Sequence, residues 1–124
     1  MSFWKNADNR DDHREKVEEF LLSGERLLQT YGLLIDFVAL TDQRIIFVGR
    51  SFVSKSSEVV TIPYRKIEEV ALLKDRRIAI TNPVRISTRS RSHQLNLVKG
   101  SDSLGFYNQL VKHMLNASSD RDQF

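Results

Sequence analysis

The apolar residues of this chain fall into short blocks whose spacing changes twice along the sequence. Near the start, Val17, Phe20 and Leu21 recur at helical spacing in an acid-rich stretch that Gly24 can terminate, which predicts a helix over residues 12–22. Its apolar stripe is narrow, so it needs a larger body to dock on. From Arg26 onward the blocks become short, β-branched and aromatic, and predict strands at 27–36, 37–40, 45–48, 58–62, 67–73, 84–88 and 94–98. Residues 78–80 form an eighth short piece or part of a hairpin. Turn chemistry such as Thr41-Asp42-Gln43 and Asn82-Pro83 separates the blocks. The helical period then returns over 101–116, with Ser101 as N-cap and Asp102 favourable at the positive end of the helix dipole. Leu104, Tyr107, Val111 and Met114 form its stripe, widened by Phe106, Leu110 and Leu115.

Short strands without intervening helices indicate antiparallel pairing. The expected fold class is mainly β with helices: a seven-stranded antiparallel bent barrel or orthogonal sandwich, with a short N-terminal helix and a C-terminal helix plugging one end. One domain over residues 12–117 is expected, its barrel at 26–98, between flexible segments at 1–11 and 118–124. A chain of 124 residues fits one core of this kind.

Two neighbouring strands break the usual alternation. Phe37–Leu40 and Ile45–Val48 are apolar at every position, so both faces want burial. Either the second face lies under the N-terminal helix, or Phe37, Val38, Ile45, Ile46, Phe47 and Val48 meet another subunit. Asp42 and Arg44 belong to the turn between these strands. Asp42 can accept backbone N–H bonds there, setting Phe37 and Ala39 opposite Ile45 and Phe47.

Composition narrows the function classes. Hydrophobic residues make up 40% and charged residues 28%, a globular balance. The absence of cysteine excludes disulfides, thiolate metal sites and cysteine nucleophiles, and agrees with a reducing compartment. Residues 1–12 lack the apolar core of a secretory signal, and no apolar run approaches the roughly 20 residues that span a bilayer. A cytoplasmic location is expected. Net charge is only +3, yet twelve Lys or Arg face four acids between Arg44 and Lys99, while Asp8–Glu25 is acid-rich.

The runs Leu40-Thr41-Asp42-Gln43-Arg44-Ile45-Ile46-Phe47-Val48 and Thr61-Ile62-Pro63-Tyr64-Arg65-Lys66-Ile67-Glu68-Glu69-Val70 resemble the bacterial pleckstrin-homology domains, which carry similar runs in the same order. Gly24-Glu25 and Phe106-Tyr107-Asn108 add to the resemblance, which covers about residues 20–115. It implies a pleckstrin-homology-like barrel, self-association into rings and a poorly defined function. Eukaryotic relatives of the fold bind phosphoinositides through cations between the first two strands. Here that turn, near Gly32–Asp36, holds no Lys or Arg, so that property is not carried over.

No reactive constellation stands out. His13, His93 and His113 adjoin no nucleophile motif, there is no His-Glu-x-x-His pair or phosphate-cradling glycine loop, and no cofactor is implied. The adjacent Glu68 and Glu69 cannot face each other on a strand; one is expected exposed and the other paired with a cation. Phe3 and Trp4 either anchor a partner or membrane, or dock on their own domain or stay disordered. The sharpest polar feature is a basic strand face of Arg85, Arg89 and Arg91, extended by Arg76 and Arg77. It is either a binder of anionic lipid or a phosphorylated ligand, or a solvated face kept cationic against edge aggregation. The expected function is a non-catalytic, homo-oligomeric scaffold or protein-interaction module, with anionic-surface binding as the alternative. Nucleic acid is disfavoured because no Phe, Tyr or Trp lies between Arg65 and Lys99.

Overall fold

A computed structural model describes residues 7–34, 36–50, 57–74 and 83–122. Phe3, Trp4, Arg76, Arg77 and the expected piece at 78–80 lie outside them. The element order is α1 (Asp11–Glu18), β1 (Leu27–Gly32), β2 (Phe37–Thr41), β3 (Arg44–Arg50), β4 (Ser57–Pro63), a 3-10 turn (Tyr64–Lys66), β5 (Ile67–Leu72), β6 (Val84–Thr88), β7 (Ser92–Leu95) and α2 (Ser103–Asp122). The strands form two antiparallel sheets, β1-β2-β3-β4 and β5-β6-β7. They make a bent sandwich and are not closed into a barrel. A lone bridge between Leu33 and Leu97 ties the end of β1 to the chain leaving β7.

The main core lies between the sheets. Val38, Leu40, Ile45 and Phe47 of the first sheet meet Ile67, Val84, Ile86 and Leu95 of the second, while Phe106 and Leu110 of α2 close one end. The reverse face of β2 and β3 carries Phe37, Ala39, Ile46 and Val48, and Val17 of α1 is buried on it with Leu21 and Leu27 alongside. His13 stacks on Phe37 at 4.3 Å between ring centroids. The chain's own N-terminal helix therefore covers the second apolar face. Phe37, Val38, Ile45, Ile46, Phe47 and Val48 are all buried within one protomer.

Other expectations shift in instructive ways. Phe37 pairs with Val48 and Ala39 with Ile46, one residue from the expected register, because the loop holds only Asp42 and Gln43. β1 ends at Gly32 rather than 36, since Asp36 adopts a left-handed φ of 66° and turns the chain. α1 ends at Glu18, so Phe20 and Leu21 belong to the following loop, and Gly24 (φ 82°) shapes that loop instead of capping the helix. Residues 7–9 are not loose: Asn9 N–H donates to Thr30 O and Gly32 N–H to Ala7 O, both at 2.9 Å. The N-cap of α2 is Asp102, whose Oδ1 accepts the Gly105 N–H at 2.9 Å, and not Ser101. Ser101 Oγ instead donates to Asp8 Oδ1 at 2.6 Å, pinning the N-terminal segment to the start of α2. α2 also runs on to Asp122, and Leu104 and Leu115 are 56% exposed, so Phe106 and Leu110 centre its buried stripe.

Candidate anion-binding cleft

The residues that carry the sequence motifs form an internal clamp. Glu25 is buried, and its Oε2 accepts from Thr41 Oγ1 at 2.7 Å and Arg44 Nε at 2.8 Å. Its Oε1 accepts from Leu22 N–H and Arg44 Nη2, each at 2.9 Å. Arg44 also donates from Nη2 to Phe20 O at 2.6 Å and from Nη1 to Thr61 Oγ1 at 2.9 Å. One guanidinium thus joins the loop after α1, the β2–β3 turn and β4. The fork on the carboxylate holds the Glu25 carboxyl at about 2, against the opposing effect of burial. Thr41 Oγ1 further accepts the N–H groups of Gln43 and Arg44, at 3.1 and 3.0 Å. Asp42 does not close its own turn; its Oδ1 accepts the Arg26 N–H at 3.0 Å. The Glu25 carboxylate and the Arg44 guanidinium are matched from within the chain, so the clamp fixes the fold.

The opposite situation holds where β4 approaches the β6–β7 hairpin. A short loop brings the chain from β6 back into β7: Thr88 N–H donates to Arg91 O at 2.8 Å, and Ser87 Oγ lies 2.9 Å from Ser92 Oγ. This places Arg89 and Arg91 at the tip. The 3-10 turn after Pro63 buries Tyr64, whose hydroxyl donates to Thr41 O at 2.6 Å, and leaves Arg65 and Lys66 exposed. Between hairpin and turn lies a cleft of 520 Å³, lined by Val60–Pro63, Arg65, Lys66, Glu68, Thr88–Arg91 and His93. Among the described residues, Arg65, Lys66, Arg89 and Arg91 have no ion-pair partner. Glu68 is the cleft's lone acid. His93 stacks on Phe47 at 5.6 Å, and burial, reinforced by Arg91, lowers its pKa.

The expected basic strand face is thereby divided. Val84 and Ile86 point inward and Arg85 outward, but Arg85 Nη2 sits 3.2 Å from Glu69 Oε1 on β5. Arg89 and Arg91 lie beyond the strand, in the cleft. Arg65 and Lys66, absent from the sequence-based set, replace Arg85 as their neighbours. Both of the adjacent acids are exposed, and Glu69 is the one paired with a cation, Arg85.

The three histidines stand at three different joints. His13 joins α1 to Phe37, His93 joins the two sheets, and His113 of α2 stacks on Tyr64 at 4.3 Å. No grouping of three or more metal-ligating side chains occurs among the described residues. No helix among them is long and apolar enough to cross a membrane.

Comparison with known proteins agrees with this architecture. The chain is similar to the pleckstrin homology domain of Shewanella amazonensis SB2B (TM-score 0.71, 18% identity, 85% of this chain and 97% of that one). It is likewise similar to a protein with a pleckstrin-homology domain from Shewanella loihica PV-4 (TM-score 0.68, 16% identity, 84% and 92%). At these identities the likeness concerns the fold. The Bacillus subtilis (strain 168) protein YozO, described as uncharacterised, is 30% identical over 106 residues, covering 86% of this chain and 93% of its own length. The family model for the bacterial PH domain matches residues 1–114, and the chain belongs to that family.

Proposed function

We propose that this chain is a non-catalytic cytoplasmic binding module that takes an anionic group into the cleft between β4 and the β6–β7 hairpin. The observation that carries the reading is the convergence of Arg65, Lys66, Arg89 and Arg91, none ion-paired among the described residues, on one concave site of 520 Å³. Like charges held close without counter-ions repel one another, and an anion relieves that repulsion while gaining charge-assisted hydrogen bonds. The volume falls within the 300–1,000 Å³ typical of ligand pockets, about the size for a phosphorylated group or a short acidic segment. A recessed site suits such a ligand better than a flat bilayer, which would meet only the hairpin tip. Calorimetric titration with inorganic tripolyphosphate at low salt tests the reading. Saturable binding is expected, weakened by salt and abolished in Arg65→Ser/Arg89→Ser/Arg91→Ser. Absence of heat at low salt overturns it.

Self-association is a second reading, supported by charge on the same chain. Asp11, Asp12, Glu15, Glu18 and Glu19 are exposed around α1, on the side away from Val17. Docked near the basic cleft of a second copy, this face would form a head-to-tail contact of the kind that closes into rings. Light scattering should then report a mass several times 14.4 kDa that falls as salt rises. A monomer at low salt and micromolar concentration removes it.

A further inference from the structure

The four-stranded sheet has two edges, and the chain treats them differently. Along β1, residues 7–9 lie against the strand: besides the two main-chain bonds already given, Thr30 N–H donates to Asn9 Oδ1 at 2.9 Å. Further along, Val98 N–H donates to Gly32 O and Leu34 N–H to Asn96 O, both at 2.9 Å. That edge is closed to any further strand. Along β4, the only strand paired among the described residues is β3. Alternate N–H and C=O groups of β4 therefore point away from the sheet with no strand among the described residues to meet them. Proteins commonly blunt such edges with short strands, lysines or a covering element. β4 is seven residues long, contains no lysine, and leaves Val59 42% exposed; Glu58 and Pro63, near its two ends, are the residues that blunt it.

The open edge and the basic cleft are the same place, because Val60, Thr61, Ile62 and Pro63 form one wall of the cleft. We propose that the anionic ligand is an extended acidic peptide segment of another protein, which adds to β4 as a fifth strand and sets its carboxylates against Arg65, Lys66, Arg89 and Arg91. The proposal rests on the anion-binding reading of the cleft and names the partner. Strand addition draws affinity from the main-chain ladder and specificity from alternate side chains. Side chains two residues apart share a face about 6.7 Å from one another, so one face of the segment can carry several acids towards the cleft. The other face falls beside Val59, which shares with Thr61 the side of the sheet on which Ile46 and Val48 are buried, and calls for small apolar residues. Acidic and apolar residues in alternation are the expected recognition pattern. A second copy fits the edge poorly: its β4, Ser-Glu-Val-Val-Thr-Ile-Pro, offers Glu58 as the only acid and brings its own cations. A bilayer makes no use of the edge at all.

The test pairs a labelled, blocked peptide Glu-Val-Glu-Val-Glu-Val-Glu with the same peptide N-methylated at alternate residues, which keeps every charge and removes the donors needed for pairing. Anisotropy at low salt should show the unmethylated peptide binding at least tenfold more tightly, and hydrogen exchange should slow at the amides of residues 58–62. Arg89→Ser/Arg91→Ser should weaken it at least tenfold. Because the methylated peptide is compared on the unaltered protein, the main outcome does not depend on a variant folding. Equal binding of the two peptides overturns strand addition and leaves the anion reading standing. So does binding of tripolyphosphate without binding of either peptide, or binding to vesicles containing anionic lipid in preference to the peptide. Protection of the β4 amides in a peptide-free dimer assigns the edge to a second copy and also overturns the proposal. If neither tripolyphosphate nor peptide binds, both readings fall together.

Discussion

Replacing Arg44 with Met leaves a carboxylate stranded. In the native chain the Glu25 carboxylate has no exposed side-chain surface, and the Arg44 side chain is 15% exposed. The substitution keeps much of the aliphatic volume but removes two donors to Glu25, one to Phe20 O and one to Thr61 Oγ1. Glu25 then retains only the Leu22 N–H and the Thr41 hydroxyl. Removing one member of a buried pair costs about 3–5 kcal/mol, because the remaining charge is desolvated without compensation. Against a total stability of about 5–15 kcal/mol, that is a large fraction. Urea unfolding followed by circular dichroism should register the loss, and the melting temperature should fall by about 10 °C or more. Arg44→Lys keeps the charge but not the planar fork, and should lie in between. Glu25→Gln/Arg44→Met should be more stable than Arg44→Met alone, since no stranded charge remains. A loss below about 1 kcal/mol for Arg44→Met at neutral pH would refute the clamp, because that is the range of an ordinary surface pair.

Stability should decline in two stages as pH falls. His13, His93 and His113 are held below the ordinary 6.5 chiefly by burial, so the unfolded chain binds protons first and stability drops below pH 6.5. Glu25, lowered from 4.5 to about 2, contributes stability that is present above 4.5 and lost as pH falls towards 2. A urea midpoint that stays constant from pH 7 to 3 would contradict both stages. Gly32→Ala should destabilise by about 1–3 kcal/mol and expose residues 7–9 to proteolysis, since an added Cβ would stand 2.7 Å from Ala7 O. Tripolyphosphate should raise the pKa of His93, read from its ring proton shifts, and bind more tightly at pH 6 than at pH 8; an unchanged His93 would place the anion elsewhere.

The strands were legible because β-branched runs punctuated by turn residues leave few alternatives, and Val84 and Ile86 face inward as their alternation implies. Where alternation was missing, register was not legible. Phe37–Leu40 and Ile45–Val48 offer no polar face to orient them, and the decisive contacts are those of Thr41 and Arg44 with Glu25, sixteen or more positions earlier in sequence. The motifs marked the family correctly, yet their polar residues are occupied in holding the chain together. The cleft was half legible. Arg89 and Arg91 announced themselves as a local cluster, whereas Arg65 and Lys66 sat inside a run noted only for its family resemblance. They meet only through the packing of one sheet across the other, which no periodicity records. Conversely Arg85 looked equivalent to Arg89 until the β5–β6 register placed Glu69 beside it.

The central claim is a location as much as an affinity, so mapping backbone amide shifts during a tripolyphosphate titration at low salt tests it most directly. The account predicts saturable changes concentrated at residues 60–66 and 88–93, with residues 32–34 and the α1 amides unmoved. Changes centred on the β1–β2 turn, changes scattered over every exposed cation, or no change at all would contradict it.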